Sequence, residues 1–302
     1  MKCLAGVELG GTTCVVAISD VKNPLAILHR EEYKTEQPKV TLNRLVSCLQ
    51  EFLVKYDLQS YAAIGIASFG PIDLCTDSDT YGFILKTPKL SWQNVDVLGT
   101  FKKSFSGVPI NIDTDVNAPA ALEASISECN TAVYVTVGTG VGIGVYINGA
   151  PAHGLLHPEA GHMTCFAKSD DDYSGCCPFH GNCIEGMLCS TALAERAGIH
   201  PSQLHSLLDV HPVWEIAGFY LGQLCVNLLY TVSPDFIVLG GGVMARAVLF
   251  DICRKNFKTL NGGYVDVGEL LTNDGLKNYI RPSTFGGDAG IVGALMLAKF
   301  AK

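Results

Sequence analysis

Two segments of this sequence repeat one pattern, in which an apolar strand enters a turn of glycine and threonine and a second apolar strand leaves it. The pattern predicts these parts in chain order: Leu4–Leu9, Gly10-Gly11, Cys14–Ile18, then Ala132–Val137, Gly138-Thr139-Gly140, Val141–Ile147. The two copies lie too far apart for a solenoid, whose repeats follow one another directly. The repetition therefore predicts a duplicated domain, each half of which begins with a hairpin.

The rest of the chain alternates between helix and strand signals. Apolar residues at helical spacing predict helices, and short apolar runs that end in polar turns predict strands. The predicted elements are a helix over 41–57, strands over Ala62–Ala67 and Val108–Ile112, helices over Ala118–Ala124 and Ile216–Val232, a strand over Phe236–Leu239 and a helix over Ala289–Ala301. This alternation predicts an α/β fold of two similar lobes, and a cleft between lobes is a common place for a ligand.

Composition excludes several classes of protein. The chain has 302 residues, 48% hydrophobic and 17% charged, so it can bury a core and is not disordered as a whole. Its net charge of −8 argues against a nucleic-acid partner, because phosphate backbones are bound by basic surfaces. The apolar run Ile216–Val232 is short for a membrane span and lies between Pro212 and Pro234, which indicates a buried helix. With no signal-peptide core and with twelve cysteines typical of free thiols or metal ligands, a cytoplasmic protein without a membrane partner is expected.

Glycine-rich turns can bind phosphate, because backbone N–H groups approach closely where no Cβ intervenes. Three such turns follow apolar strands: Gly10-Gly11-Thr12-Thr13, Gly138-Thr139-Gly140 and Gly240-Gly241-Gly242. The third continues as Val243-Met244-Ala245 and fits the dinucleotide pattern G-x-G-x-x-A, but too little chain follows it for the remaining βαβ units. The sequence contains no Walker-type loop. The three turns together predict a nucleotide ligand.

A short segment carries cysteine and histidine at the spacing of metal ligands. Cys177, His180 and Cys183 form the pattern C-x2-H-x2-C, and His162 lies upstream of them. Zn²⁺ takes four nitrogen or sulfur ligands in a tetrahedron, so these residues predict a zinc site. Two neighbouring cysteines could replace one of the ligands: Cys165 and Cys176. Four protein ligands leave no open position, which indicates a structural metal.

Four carboxylates stand where they could do chemistry. Asp113 and Asp115 follow a predicted strand, whose carboxyl end would face a cleft, although an aspartate there is more often a helix cap. Glu159 and Glu185 adjoin the predicted metal ligands, and a zinc-braced loop would hold them rigidly enough to receive sugar hydroxyls.

Together these segments are similar to the ROK family of sugar kinases, and in particular to its fructokinase branch. The resemblance covers nearly the whole chain in order. The motifs that carry it are Gly6-Val7-Glu8-Leu9-Gly10-Gly11-Thr12-Thr13, Ser68-Phe69-Gly70-Pro71-Ile72-Asp73, Thr87-Pro88-Lys89-Leu90-Ser91-Trp92-Gln93-Asn94, Asp113-Thr114-Asp115-Val116-Asn117-Ala118, His157-Pro158-Glu159-Ala160-Gly161-His162, the segment from Cys177 to Gly186, the Gly240 turn and Gly286-Gly287-Asp288-Ala289-Gly290. The Cys-Pro-Phe-His form of the metal segment favours the fructokinases over the glucokinases of the family.

The resemblance implies a fold and an activity. The fold is the actin/hexokinase-like ATPase fold, with two ribonuclease-H-like lobes, an interlobe cleft and a zinc-binding loop at 157–186. The first lobe spans 1–115 and is completed by the C-terminal helix 289–302, and the second spans 116–288. The activity is transfer of the γ-phosphate of Mg-ATP to the 6-hydroxyl of fructose. Mg²⁺ with ATP, a structural Zn²⁺, a hexose and a second copy of the chain in a homodimer are the implied partners.

The resemblance also implies roles for particular residues. Asp115 is the base that accepts the proton of the sugar hydroxyl. The sugar contacts are Asn117, Glu159, His162 and Glu185, and the zinc ligands are His162, Cys177, His180 and Cys183. ATP is held by Gly10, Gly11, Thr12, Thr13, Gly138, Thr139, Gly140, Thr191, Gly241, Gly242, Val243 and Met244.

Three positions depart from the pattern of the family. Thr13 stands where many members have lysine, which removes a positive charge near the phosphates. Thr114 replaces a common asparagine before the catalytic aspartate, and Ser190 replaces a usual glycine near the nucleotide pocket. None of the three removes the catalytic carboxylate, so activity is expected.

Three alternatives remain open from the sequence. The first is a kinase of the same family with another sugar, such as mannose, glucose or an N-acetylhexosamine. The second is a sugar-sensing regulator on the same fold, but such relatives carry an N-terminal helix-turn-helix for which a phosphate motif beginning at Gly6 leaves no room. The third is a nicotinamide dehydrogenase, which would leave the two upstream glycine turns unexplained.

Overall fold

The structure is a computed structural model that describes residues 2–301, apart from the side chain of Leu271. The chain forms two compact units. The first comprises Met1–Leu122, Ala150–Pro158 and Asp288–Lys302, and the second comprises Glu123–Gly149 and Glu159–Gly287. Compared with the division predicted from the sequence, the first unit extends seven residues beyond 115 and also takes in the segment Ala150–Pro158.

The described residues form strands and helices in alternation. The strands are β1 (Cys3–Leu9), β2 (Thr13–Asp20), β3 (Asn23–Lys34), β4 (Ala63–Ser68), β5 (Phe83–Ile84), β6 (Val95–Asp96), β7 (Ile110–Thr114), β8 (Thr131–Val137), β9 (Val141–Ile147), β10 (Ala150–Pro151), β11 (Phe236–Gly240) and β12 (Ile280–Pro282). The helices are α1 (Pro38–Lys55), α2 (Val97–Ser104), α3 (Asn117–Ser127), α4 (Ile184–Leu188), α5 (Ser190–Ala197), α6 (Val213–Val232), α7 (Val248–Asn261), α8 (Asn273–Tyr279) and α9 (Ala289–Lys299). Short 3-10 turns lie at Leu90–Trp92, Ala160–His162, Pro201–Ser206, Gly242–Ala245, Gly268–Leu271 and Gly286–Asp288.

The first unit is built on a five-stranded sheet in the order β3-β2-β1-β4-β7. β1 pairs with β2 as an antiparallel hairpin, in which Val7 lies opposite Val16, while β4 and β7 add to β1 in parallel. β1 and β4 are buried along almost their whole length, as their apolar sequences require of strands covered on both faces.

Helix α9 lies on β1 and β4 and closes this core with residues from the far end of the chain. Its approach is so close that a Cβ added at Gly65 would lie 1.9 Å from the carbonyl oxygen of Ala294. Only glycine fits a strand position that a helix backbone approaches at this distance. The glycine therefore sets how closely α9 packs on the sheet.

The second unit has the strand order β9-β8-β11-β12, which repeats the order β2-β1-β4-β7 of the first unit. β8 and β9 form the antiparallel hairpin, and β11 and β12 extend it in parallel, so each strand occupies the place of its counterpart in the first unit. The duplication predicted from the two glycine-turn hairpins is confirmed, and so is the α/β fold class.

Helix α6 confirms the prediction of a buried helix over Ile216–Val232. It begins three residues earlier, at Val213, and packs against α7 with most of its length buried. Among the helices within residues 2–301, none combines the length and the apolar character that crossing a bilayer demands.

Candidate functional site

Asp115 lies in the first unit, directly between the end of β7 and the start of α3. Its backbone N–H donates to the carbonyl of Ser68 at 2.9 Å, which ties the segment to the end of β4. The hydroxyl oxygen of Thr114 accepts from the backbone N–H of Asn117 at 2.9 Å and satisfies one of the free donors at the N-terminus of α3. Burial raises the pKa of Asp115 to about 6, so the carboxylate is a stronger base than a solvated aspartate.

Asp113 is a buried carboxylate two residues before Asp115, inside β7 rather than after it as predicted. Its Oδ1 accepts from the backbone N–H of Thr114 at 2.7 Å and from the side-chain amide of Asn117 at 2.8 Å. Its Oδ2 lies 3.0 Å from Nε2 of His153, which comes from the segment Ala150–Pro158. Because the hydrogen bond to Asp113 favours the protonated ring, the pKa of His153 is raised.

Glu8, near the end of β1, is a second acidic group whose environment disfavours its charge. Burial, and after it the negative charge of Asp115, raises the pKa of Glu8 to about 8. Asp288 and Glu32 act in the same direction, and Arg30 opposes them. Glu8 is therefore mostly protonated at neutral pH.

The turn between β1 and β2 has the form predicted for a phosphate site. The backbone N–H of Gly10 donates to the carbonyl of Thr13 at 3.1 Å and closes the turn. Thr35 holds it from outside, because its hydroxyl donates to the carbonyl of Gly10 at 2.8 Å and its N–H donates to the carbonyl of Thr12 at 2.9 Å. Thr12 and Thr13 are exposed at its tip.

In the second unit, the turn between β8 and β9 contacts Glu185, the second residue of α4. Oε2 of Glu185 accepts from the backbone N–H of Val141 at 3.0 Å, and its Oε1 lies 4.0 Å from Nδ1 of His162. A Cβ added at Gly140 would lie 2.7 Å from Oε2, so the absence of a side chain lets the carboxylate reach the turn. Glu159 is exposed, just before the 3-10 turn that ends at His162.

The four predicted zinc ligands lie together. The ligand atoms of His162, Cys177, His180 and Cys183 are all within 4.8 Å of one another. Sγ of Cys177 is 3.7 Å from Nδ1 of His162 and 3.7 Å from Nδ1 of His180, and Sγ of Cys183 is 3.6 Å from Nδ1 of His162. With bonds of about 2.3 Å to sulfur and about 2.0 Å to nitrogen, tetrahedral geometry places S and N about 3.6 Å apart. The side chains therefore fit Zn²⁺.

The alternative ligands lie apart from this group. Sγ of Cys165 donates to the carbonyl of Asn182 at 3.1 Å, and Sγ of Cys176 lies 3.4 Å from Sγ of Cys189. All twelve cysteines fall within the described residues, and each is a free thiol.

The second unit also holds a cavity of about 680 Å³ beside its glycine turns, a size typical of small-molecule sites. Its lining includes Gly138 and Thr139 from one turn and Gly242 and Val243 from the other. Gly241 has φ +88°, and a Cβ there would lie 2.4 Å from the carbonyl oxygen of Val137, so the close approach of the two turns requires glycine.

The structure brings together only part of the predicted ATP set. Gly138, Thr139, Gly242 and Val243 are in the wall of the cavity, whereas the remaining predicted residues of this unit are not: Gly140, Thr191, Gly241 and Met244. Ser190, which was predicted near the nucleotide pocket, also lines the cavity, whereas the sequence did not indicate its other lining residues. Among these, the guanidinium of Arg246 stacks on Trp214 at 4.4 Å and pairs with Asp209.

Asn117 is more deeply buried than the other predicted sugar contacts. Its side chain is fully buried and its amide donates to Asp113. His153 is a functional candidate that the sequence did not indicate, because no motif marks a histidine that reaches a carboxylate through the fold.

Two units that each begin with a glycine-turn hairpin on a mixed sheet, together with a cavity at the turns, define a protein of the actin/hexokinase-like class. The sequence matches the ROK family over residues 4–301. The chain belongs to the ROK family.

Two similar relatives are fructokinases by name. The chain is 38% identical to "Fructokinase" of Zymomonas mobilis over 303 residues, which cover 98% of this chain and 96% of that protein. It is 36% identical to "Putative fructokinase" of Bacillus subtilis over 298 residues, which cover 98% and 95% of the two chains.

Solved structures show the same fold at lower identity. The ROK hexokinase of Thermus thermophilus superposes with a TM-score of 0.75 at 22% identity and covers 98% of both chains. The ROK family glucokinase of Streptomyces griseus, solved with glucose and AMPPNP, superposes with a TM-score of 0.72 at 22% identity and covers 98% of this chain and 99% of its own.

Proposed function

We propose that this protein is an ATP-dependent fructokinase that transfers the γ-phosphate of Mg-ATP to the 6-hydroxyl of D-fructose. The observation that carries the proposal is the similarity, over nearly the full length of both chains, to proteins named fructokinase at 35–38% identity. The catalytic aspartate, the glycine turns and the Cys/His cluster of this chain all agree with it.

Asp115 is the group that accepts the proton of the attacking hydroxyl. Its raised pKa suits a general base, and the hydrogen bond from its backbone to Ser68 holds it in position. Phosphoryl transfer has a loose transition state, so alignment of the hydroxyl contributes more than bond making.

Glu159, His162 and Glu185 orient the sugar hydroxyls. The two glutamates flank the proposed zinc ligands, and Glu185 is fixed by its bond to the backbone of Val141. Asn117 contributes by holding Asp113 next to the catalytic residue.

The proposed ATP-binding residues lie at the hairpin turn of each unit and around the cavity of the second unit. The predicted phosphate ligands in the first unit are Gly10, Gly11, Thr12 and Thr13, and those in the second are Gly138, Thr139 and Gly140. Thr191, Gly241, Gly242, Val243 and Met244 belong to the proposed nucleotide site. Mg²⁺, when bound with ATP, neutralises phosphate charge.

His162, Cys177, His180 and Cys183 hold a structural Zn²⁺. The metal would stiffen the segment that carries Glu159 and Glu185, since three of the four ligands lie in one short loop. His162 then serves both the metal and the sugar site.

The cellular setting follows from the chemistry of the chain. Twelve free cysteines indicate a reducing compartment, so we place the protein in the cytoplasm. The net charge of −8 leaves nucleic acid out of the partners, and a homodimer is the proposed assembly. The two units are the two lobes of the kinase, with Asp115 in the first and the zinc loop in the second.

One assay tests the activity. Purified protein with Mg-ATP is given fructose, glucose, mannose and N-acetylhexosamines in turn, and ADP release is measured together with the mass of the sugar product. Fructose 6-phosphate as the best product supports the proposal. Another preferred hexose would indicate the related hexokinase activity, and sugar binding without ADP release would indicate a sensor. Reduction of NAD or NADP by the protein and sugar without ATP would indicate a dehydrogenase.

A further inference from the structure

The proposed phosphate turn of the first unit has no basic side chain of its own. Gly10, Gly11, Thr12 and Thr13 contribute only backbone and hydroxyl groups. The carboxylates of Asp115, Asp288 and Glu32 act on Glu8 at the nearby end of β1 and add negative charge to this region. A polyphosphate at this turn therefore needs a cation from another part of the chain.

Lys89 has its side chain over this turn. A Cβ built on Gly11 would lie 3.3 Å from Cε of Lys89, so the end of the lysine passes directly above the glycine. The residue is exposed, and within residues 2–301 no acidic side chain forms an ion pair with its ammonium group. An unpaired ammonium group beside a turn of backbone donors is suited to an anion.

Buried contacts and hydrogen bonds of the neighbouring residues hold the backbone around Lys89 in place, and with it the position of the lysine beside Gly11. Trp92 is 2% exposed, packs edge-on against Phe69 at 5.3 Å and donates from its indole N–H to the carbonyl of Glu36 at 3.0 Å. The amide of Gln93 donates to the carbonyl of Thr87 at 2.8 Å and closes the segment on itself.

Residues 35–36, which directly follow β3, contact both the glycine turn and the segment that carries Lys89. Thr35 bonds to the carbonyls of Gly10 and Thr12, and the next residue, Glu36, accepts from Trp92. The glycine turn and the segment that carries Lys89 are therefore fixed to one piece of backbone. Their separation is set by residues 35–36.

The geometry points to Lys89 as a phosphate-binding residue, whose ammonium group supplies the positive charge of the Gly10–Thr13 turn and contacts the terminal phosphates of the nucleotide. The inference rests on the proposed function for its nucleotide. It adds a ligand that supplies, from a different segment, a positive charge that the residues of the turn do not carry. Positive charge there stabilises the anionic phosphates in the bound state and in the transition state.

The test compares Lys89→Met with Lys86→Met, an exposed lysine of the same segment. We expect Lys89→Met to lower kcat/KM for ATP by about tenfold or more, while KM for fructose stays within about twofold. Lys86→Met should match the wild type. A second variant, Lys89→Met with Thr13→Lys, returns the charge to the turn from its own residue and should recover most of the lost kcat/KM.

Calorimetry with ADP and AMP separates the phosphates from the rest of the nucleotide. Lys89→Met should weaken binding of ADP and leave binding of AMP unchanged. Equal losses for both, a rise in KM for fructose alone, or a Lys89→Met variant that behaves like Lys86→Met would overturn the inference. If the wild type binds ADP but phosphorylates no sugar, the proposed function fails, while the ADP and AMP comparison still decides the role of Lys89.

Discussion

Nε2 of His153 lies 3.0 Å from Oδ2 of Asp113, and this contact joins the segment Ala150–Pro158 to the strand that leads to Asp115. The two residues are far apart in sequence and within one unit in the fold. The contact gives the segment beside Asp115, the proposed catalytic residue, a dependence on pH that can be measured.

His153→Gln should lower the melting temperature in a pH-dependent way. The contact raises the pKa of His153 in the folded state, so its contribution to stability is complete below the unfolded pKa of about 6.5 and is lost as pH rises through the folded pKa. The difference in melting temperature between wild type and variant should therefore be largest in mildly acid buffer and should shrink in alkaline buffer. His29→Gln, whose ring contacts Glu31 in the same unit, is the control and should have a smaller effect. A difference that is flat with pH would argue against a charged pair.

Asp115→Asn should keep the fold and lower kcat by about 10²–10⁴, the usual scale for loss of a general base. The pH–rate profile of the wild type should fall on the acid side near pH 6, because protonated Asp115 cannot accept the hydroxyl proton. Steady-state kinetics across pH, with circular dichroism for the fold, checks both points. Asp77→Asn removes an exposed carboxylate of the same unit and should change neither kcat nor the pH–rate profile. A variant at Asp115 with a wild-type rate would exclude the residue as the base.

Removal of zinc should destabilise the second unit. The four ligand atoms are already at the separations of a tetrahedral site, so Cys183→Ser should lower metal content to well below one zinc per chain and reduce the melting temperature by about 5 °C or more. Elemental analysis measures the zinc content, and calorimetry measures the melting temperature. Cys75→Ser, at an exposed thiol outside the cluster, should retain the metal. Metal-free protein with an unchanged melting temperature would mean that the cluster is not a structural zinc site.

Glu159→Gln should raise KM for fructose by about tenfold while kcat changes less, because an exposed carboxylate that receives sugar hydroxyls contributes mainly to binding. KM for ATP should not change. The measurement is steady-state kinetics with each substrate varied in turn, and Glu128→Gln is a control at a turn of the same unit. A rise in KM for ATP instead of fructose would argue against Glu159 as a sugar-binding residue.

Gly65→Ala should destabilise the first unit by about 1–3 kcal/mol, because the added Cβ would lie 1.9 Å from the carbonyl oxygen of Ala294 and α9 would have to move. Gly154→Ala is the control: its Cβ would meet its nearest atom, the carbonyl oxygen of Leu156, at 4.0 Å. Urea denaturation of both variants checks the prediction. If Gly65→Ala were as stable as Gly154→Ala, α9 would accommodate the added methyl group without loss of stability.

Local sequence patterns were sufficient to predict several of the strands and helices on which the fold is built. The hairpins of both units, the buried helix α6 and the Cys/His cluster were all predicted from residues close together in sequence, since each depends on periodicity or on spacing. β3 was not predicted. It is an edge strand with charged residues at His29–Glu32 and little burial, so it lacks the apolar pattern that identifies β1 and β2.

Contacts between distant segments could not be predicted. The cavity wall near Arg246 and Trp214, the pairing of His153 with Asp113 and the passage of Lys89 over Gly11 each join residues that no spacing rule connects. They depend on which helix packs on which strand, and that is decided by the whole core.

The position of α9 on β1 and β4 governs the order in which the protein can form. A ribosome releases β4 early and α9 only after roughly 200 further residues, which at ordinary rates takes roughly 10 to 40 seconds. During that time the sheet of the first unit has an uncovered apolar face, while the second unit is synthesised and can complete its own core. The half of the molecule that is made first is therefore the half that finishes folding last.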